Sequence, residues 1–287
     1  MKNRNRIQFI LGGLFFLVAL GLFLIQMGYL LLHNRLQMEY IDNRLFYIIN
    51  ISIVISIFLG GFILFSFTRK FKAIASSLIG IFIVVNIVLL YQSNQEIKNI
   101  VSISPDFKHV FSVKENAERG EAVYYRSYYG IVARPKEKLS GSITGAYEVK
   151  WVADDVAVFT YETSGGEVQA FAGTYGDRGQ GSSYYYVGPE MQGLWANEGV
   201  EVVSDTEGIQ VKSKTDSAFF EWDQIHQYGT LAIVLEQDQE AEWVIGLNED
   251  FQMRSDASNS PGGSISLYKA AIGSEELYEL EFKSEIN

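Results

Sequence analysis

Three stretches without a charged side chain govern what this chain can fold into: Ile7–Leu32, Leu45–Phe67 and Ala73–Tyr91, of 26, 23 and 19 residues. A helix rises ~1.5 Å per residue, so about 20 apolar residues cross a hydrocarbon core ~30 Å thick. Each run is long enough to span. Buried helices of soluble proteins seldom carry more than about 14 unbroken apolar residues, and three such runs in succession do not fit that alternative. The first follows Met1-Lys2-Asn3-Arg4-Asn5-Arg6, which has the basic look of a secretory leader. A leader has an apolar segment of only about 7–15 residues closed by a small-x-small site. Here the run is longer and ends in Tyr29-Leu30-Leu31-Leu32-His33-Asn34, without Ala-x-Ala. An uncleaved first span is predicted.

The charge is split along the chain. Residues 1–92 carry 8 basic and 2 acidic side chains, a net of +6; residues 93–287 carry 15 and 32, a net of −17. The halves therefore read as separate domains: a three-helix membrane domain over 1–92, a connector at 93–100, and a second domain over 101–287. Basic residues in short loops set orientation. Lys2, Arg4 and Arg6 precede the first span, and Arg69, Lys70 and Lys72 lie between the second and third. The loop after span one has only Arg35 and Arg44, with Glu39 and Asp42 beside them. This pattern predicts a multi-pass protein of the cell membrane, with a cytoplasmic N-terminus and an extracellular C-terminal domain. Tyr29, Tyr40, Tyr47 and Tyr91 fall near the outer ends, where interfacial aromatics belong.

The spans hold no charged residue, which argues against an ion or proton path of their own. Small residues recur at helical spacing: Ser52, Ser56 and Gly60 in span two, Ala73/Ser77 and Ser76/Gly80 in span three. That spacing lets helices approach closely, within a bundle or against another membrane protein.

Beyond residue 100 short runs rich in Val, Tyr, Phe and Thr alternate with Gly, Asn, Asp and Ser. Val156–Tyr161, Val168–Tyr175, Val200–Ser204, Ile209–Ser213, Ala218–Trp222, Leu231–Glu236, Trp243–Leu247 and Ile265–Ala270 read as strands. Ser164-Gly165-Gly166 and Thr206-Glu207-Gly208 read as hairpin connections, and Gln224–Tyr228 as one helical turn. With ~195 residues this half is long enough to bury its own core and is predicted to fold alone from about Gln95. The expected fold is three transmembrane α-helices followed by an all-β extracytoplasmic domain, propeller-like or a β-sandwich.

A weak repeat supports the propeller option. Ser104-Pro105-Asp106-Phe107-Lys108, Trp151-Val152-Ala153-Asp154-Asp155 and Trp195-Ala196-Asn197-Glu198-Gly199 each precede a strand, about 45 residues apart. The Ser-Pro-Asp and Trp-x-x-Asp openings resemble blade starts of β-propellers such as the periplasmic Tol-system one. The whole layout resembles multi-pass membrane proteins of Gram-positive bacteria that carry a cysteine-free outer β domain. That likeness implies no activity and no site residues.

The side-chain chemistry excludes several classes. The chain has no Cys, so disulfide scaffolds, thiolate metal sites and thiol catalysis are out. Its acidity argues against nucleic acid as a partner. Gly179-Gln180-Gly181-Ser182-Ser183 lacks the glycine placement of a nucleophile elbow, and His109 and His226 are too few for zinc. Asp154-Asp155, Asp205/Glu207 and Glu249-Asp250 are carboxylate pairs of the kind acid–base chemistry or calcium uses, and equally of the kind found in solvated turns. Asp256–Gly263 is oxygen-rich but departs from the calcium-loop pattern. No metal and no cofactor is expected.

The stretch Gly173–Tyr186 is the most unusual, with four glycines from Gly173 to Gly181 and a closing Tyr184-Tyr185-Tyr186. It reads as a long hairpin or as a binding loop in which Tyr175, Asp177, Arg178, Tyr184 and Tyr186 meet a ligand. Tyr124-Tyr125-Arg126-Ser127-Tyr128-Tyr129 has a similar composition, although adjacent tyrosines in a strand point to opposite faces. The expected function is non-catalytic: a membrane protein presenting an acidic β domain outside the cell to another membrane protein, a peptide or a cell-wall polymer. The alternatives are an extracytoplasmic carboxylate-dependent hydrolase and a scaffold or accessory subunit of a membrane complex.

Overall fold

The structure, a computed structural model, describes residues 2–128, 130–176, 186–197, 199–213, 217–252 and 260–286. It divides into two compact units. The first comprises Met1–Val101 and Ser112–Lys138; the second comprises Ser102–Phe111 and Leu139–Asn287.

In the first unit the apolar runs are helices α1 (Lys2–Leu36), α2 (Arg44–Leu64) and α3 (Arg69–Glu96). All three are long and apolar enough to cross a membrane. The inward face of α2 is Ile49, Ile53, Ser56 and Gly60, spaced at four, three and four residues, so one stripe is buried. Gly60 lets α1 come close: a Cβ there would stand 3.1 Å from the Gly12 carbonyl oxygen and from the Phe16 ring. Ser56 and Gly60 thus pack as their spacing predicts. The small residues of α3 do not, since Ala73, Ser76, Ser77 and Gly80 are all exposed. At the α2–α3 corner Phe65 leaves α2 in an extended conformation, and Thr68 caps α3 by accepting the Phe71 N–H on Oγ1 at 3.3 Å.

The connection between α1 and α2 is structured. Gln37 turns at φ 51°, and Glu39–Tyr40 form a two-residue strand, β1. Tyr40, 1% exposed, donates its hydroxyl to Gln26 Oε1 at 2.9 Å and stacks on Tyr29 at 4.2 Å. Strands β2 (Ile97–Ile103), β3 (Val110–Asn116), β4 (Glu121–Tyr128) and β5 (Val132–Ala153) follow. Residues 93–100, the connector of the sequence reading, are the last turn of α3 and the start of β2.

Within the first unit β1 pairs antiparallel with the start of β5, Glu39 opposite Ala133 and Tyr40 opposite Val132. Three further bonds tie this connection to the strands. Ser112 Oγ donates to the Ile41 carbonyl at 2.8 Å, Asn43 N to Asn99 Oδ1 at 3.1 Å, and Lys114 Nζ to Glu39 Oε2 at 2.6 Å.

The second unit adds β6 (Val156–Thr163), β7 (Val168–Thr174), the single turn α4 (Val187–Glu190), β8 (Gly193–Asn197), β9 (Val200–Ser204), β10 (Gly208–Ser213) and β11 (Ser217–Glu221). It continues with β12 (Ile225–Tyr228), β13 (Ala232–Gln237), β14 (Glu240–Leu247), β15 (Ser264–Lys269) and β16 (Leu277–Ser284). One sheet runs β2-β3-β4-β5-β6-β7, with β1 beside β5. The other runs β11-β10-β9-β8-β16-β15-β14-β13-β12. The nine-stranded sheet curls into a nearly closed barrel around one core, in which Trp195, Val202, Ile209, Phe220, Ile245 and Leu267 are fully buried. The other faces of β13, β14 and β15 pack against β5, β6 and β7 through a second core that includes Val156, Val158, Val234, Val244 and Tyr268.

The all-β reading of the second half therefore holds, and the eight predicted strands lie on β6, β7, β9, β10, β11, β13, β14 and β15 within one to three residues at their ends. Both predicted hairpin connections join the strands they should. Two expectations change. Sheets of seven and nine strands are not four-stranded blades, and the repeated openings mark turns instead. Asp154-Asp155 links β5 to β6, and Asn197–Gly199 links β8 to β9. Trp222–Gln224 forms a 3-10 turn, and Ile225–Tyr228 is the edge strand β12 rather than a helical turn, because it pairs with β13 along its length.

Candidate functional site

The second unit carries an open cleft of about 570 Å³, where the end of β5 and the β5–β6 turn meet the ends of β14, β15 and β16. Asp154, Glu249, Asp250 and Glu279 line it, with Asn248, Ser264, Ser266 and the flank of Trp151; no Lys or Arg is among the lining residues. Two of the three carboxylate pairs singled out in the sequence thus contribute to one place. Asp205, of the third pair, instead caps its own turn by accepting the Glu207 and Gly208 N–H groups at 2.7 and 3.1 Å.

A hydrogen-bonded chain holds the cleft floor. Ser266 Oγ donates to Asn248 Oδ1 at 2.7 Å, and Asn248 Nδ2 donates to Ser264 Oγ at 2.8 Å. Ser264 Oγ stands 2.8 Å from Asp250 Oδ1 and 3.0 Å from Glu279 Oε1, so its single proton is shared between two carboxylates. Asp250 Oδ1 also accepts the Ser264 N–H at 3.1 Å. Gly263 makes this turn possible: it lies at φ 80°, and a Cβ there would overlap the Asp250 carbonyl. On the opposite wall Glu249 Oε1 accepts the Asp154 N–H at 2.7 Å. Backbone and hydroxyl donors hold Asp250, Glu279 and Glu249 in place.

Trp151 borders the cleft at the end of an aromatic stack. Its Nε1 donates to Ser102 Oγ at 2.9 Å, its ring lies 5.8 Å from Tyr175, and Tyr175 lies 4.9 Å from His109 on its other face. Tyr175, predicted as a binding residue, is half-buried in this stack and donates its hydroxyl to the Val110 carbonyl at 3.0 Å. Tyr186 is 61% exposed, just before α4. Asp177, Arg178 and Tyr184 lie outside the described residues, as do residues 256–259 of the oxygen-rich stretch.

The second tyrosine cluster splits as strand alternation requires. Tyr124 is buried, Tyr125 donates to Glu39 Oε1 at 3.2 Å, and Tyr128 is 42% exposed beneath Arg134. Burial and the neighbouring Glu39 push the Tyr125 hydroxyl well above the usual tyrosine pKa. Among the described residues no group of three or more His, Asp or Glu is arranged to hold a metal ion.

Sequence reasoning missed Asn248, Ser264, Ser266 and Glu279. Glu279 lies on β16, a strand that the sequence reading does not identify. The available signal was Asn248-Glu249-Asp250 with Gly262-Gly263-Ser264, polar ends on two adjacent apolar strands. Comparison of the chain with protein-family models, with curated proteins and with solved structures gives no match.

Proposed function

We propose that this chain is a multi-pass membrane protein that presents an acidic, non-catalytic β domain outside the cell, and that the cleft at Asp154, Glu249, Asp250 and Glu279 receives a cation-bearing ligand such as a basic peptide segment or an amine-substituted wall polymer. One observation carries this reading: four carboxylates line one open cleft with no Lys or Arg among them. Like charges at that density favour a positively charged guest. The Trp151–Tyr175 stack lies at its border, and Tyr175 is the first residue of the Tyr175–Tyr186 segment that the sequence offers for binding.

Binding of a tri-lysine peptide to the full-length protein in detergent tests the cleft by calorimetry. Asp154→Asn and Glu279→Gln are each expected to weaken it about five-fold, the equivalent of ~1 kcal/mol for a partly exposed ion pair, and added salt should weaken it further. Binding that both variants leave unchanged would remove the cleft from consideration.

Topology has its own test, because the chain has no Cys background. A cysteine replacing Ser140 is expected to react with an impermeant maleimide on intact cells, and one replacing Thr68 to react only after lysis, as the two basic clusters direct. The reverse pattern would invert the orientation.

The shared Ser264 hydroxyl favours a second reading, a carboxylate-dependent hydrolase, since it holds Asp250 and Glu279 at the close spacing that retaining glycosidases use. Release of nitrophenol from nitrophenyl glycosides, lost in both Asp250→Asn and Glu279→Gln, would place that reading first.

A further inference from the structure

The α2–α3 corner of the first unit forms an open apolar cavity of about 430 Å³. Six phenylalanines dominate its lining: Phe16 from α1, Phe58 and Phe62 from α2, Phe65 and Phe67 from the connection, and Phe71 from α3. Their rings brace one another, Phe58 against Phe62 at 4.1 Å and Phe67 against Phe71 at 4.5 Å. Water has no hydrogen-bonding side chain to meet there, and an apolar space of this kind does not hold it. Hydrocarbon fits.

Charge makes the site specific. Arg69, Lys70 and Lys72 stand in the first turn of α3, all exposed. There is no acidic residue from Asn43 to Gln95, and no ion pair joins these three cations to any described residue. Lys72 Nζ lies 5.6 Å from the centroid of Phe62, so one cation sits on the wall of the cavity itself. Thr68 satisfies the Phe71 N–H, while the first-turn N–H groups of Arg69 and Lys70 have no intrahelical acceptor and add the positive end of a 28-residue helix. An apolar slot whose rim is cationic is complementary to one membrane component, a lipid with a hydrocarbon chain and an anionic head.

We propose that this corner binds an anionic phospholipid, with its phosphate on Arg69, Lys70 and Lys72 and an acyl chain among the phenylalanines. This rests on the reading that the three helices span a bilayer. The lipid would pin the α2–α3 connection to one leaflet and fix the depth of α3.

The test uses the full-length protein in nanodiscs of phosphatidylcholine with a minor fraction of phosphatidylglycerol, and native mass spectrometry of the lipid retained on the released protein. Retained lipid should be enriched in phosphatidylglycerol over the bulk ratio. Arg69→Gln, Lys70→Gln and Lys72→Gln are each expected to lower the enrichment, by about five-fold per charge at ~1 kcal/mol for each basic residue near the surface. Ala75→Phe fills the cavity, keeps every charge and should also abolish the enrichment. Soluble glycerol phosphate should not displace the lipid. Incorporation with the bulk lipid ratio, full enrichment in Ala75→Phe, or displacement by glycerol phosphate would each overturn the proposal alone. Failure of the protein to enter the discs would overturn the spanning reading and this proposal with it.

Discussion

Replacing Glu39 with Ala is expected to destabilise the folded chain by about 2–4 kcal/mol, among the largest effects available to a single substitution outside the hydrophobic cores. Lys114 is the reason. Its side chain is 5% exposed, and its ammonium is held by Glu39 Oε2 at 2.6 Å and Asn43 Oδ1 at 2.7 Å, 4.4 Å from the centroid of the Tyr125 ring. Removing Glu39 leaves a buried cation hydrogen-bonded to neutral Asn43, with only the longer-range charge of Asp42 beside it, and the Tyr125 hydroxyl loses its acceptor as well. The estimate is taken toward the lower part of the range for buried pairs because Glu39 is itself 32% exposed.

The effect carries a pH signature. Burial lowers the Lys114 pKa below the ordinary 10.5, with Glu39 opposing the shift. Between the lowered value and 10.5 the unfolded chain binds more protons than the folded one, so this group makes stability rise with pH in that window. Without Glu39 the shift deepens, and the window extends further down. Melting temperatures of the detergent-solubilised protein between neutral pH and pH 10 measure both effects. The pair Glu39→Met with Lys114→Met is expected to lie closer to the parent than either single change, since no charge is then left buried alone. A flat pH response in Glu39→Ala, or additive losses in the double variant, would show that Lys114 does not depend on this partner.

How far the sequence carries depends on the range of each interaction. The helices are legible because their signal is local: a charge-free run of sufficient length reports its own conformation. The strands β6, β9 and β10 are legible for the same reason, since alternation and glycine turns lie within the segment. β2 and β4 are not, because their apolar residues are interleaved with polar ones such as Lys98 and Tyr125 that bind groups far away in the chain. Tyr125 illustrates this. In sequence it belongs to an aromatic cluster of the kind found on recognition surfaces, whereas in the structure its hydroxyl meets Glu39, 86 residues earlier. The cleft is half legible. Asp154, Glu249 and Asp250 stand out as pairs, but their convergence depends on register between β5, β14 and β15, which no local pattern encodes. Glu39, Asp42 and Lys114 looked like loop and strand charges of ordinary kind. Nothing short of the β1–β5 pairing indicates that the loop after α1 is an added strand.

That added strand sets the outcome of truncation. The composition of the second half predicts an autonomous soluble domain from about Gln95, whereas a chain beginning there is expected to be poorly stable and prone to associate. Removing residues 1–94 deletes β1, so Val132 and Ala133 at the start of β5 lose their antiparallel partner and present an open edge. Ala133 and Ser112, both 0% exposed, and Lys114, at 5%, come into solvent, and Ser112 loses the Ile41 carbonyl it donates to. Val132 also loses the apolar cover of Tyr40, Ile49 and Ile53. The barrel core around Trp195 contains no residue of this missing part, so β-rich circular dichroism should persist while dye binding and association increase. A truncated chain that remains monomeric and melts as high as the whole protein would show that β1 is an ornament on a complete sheet.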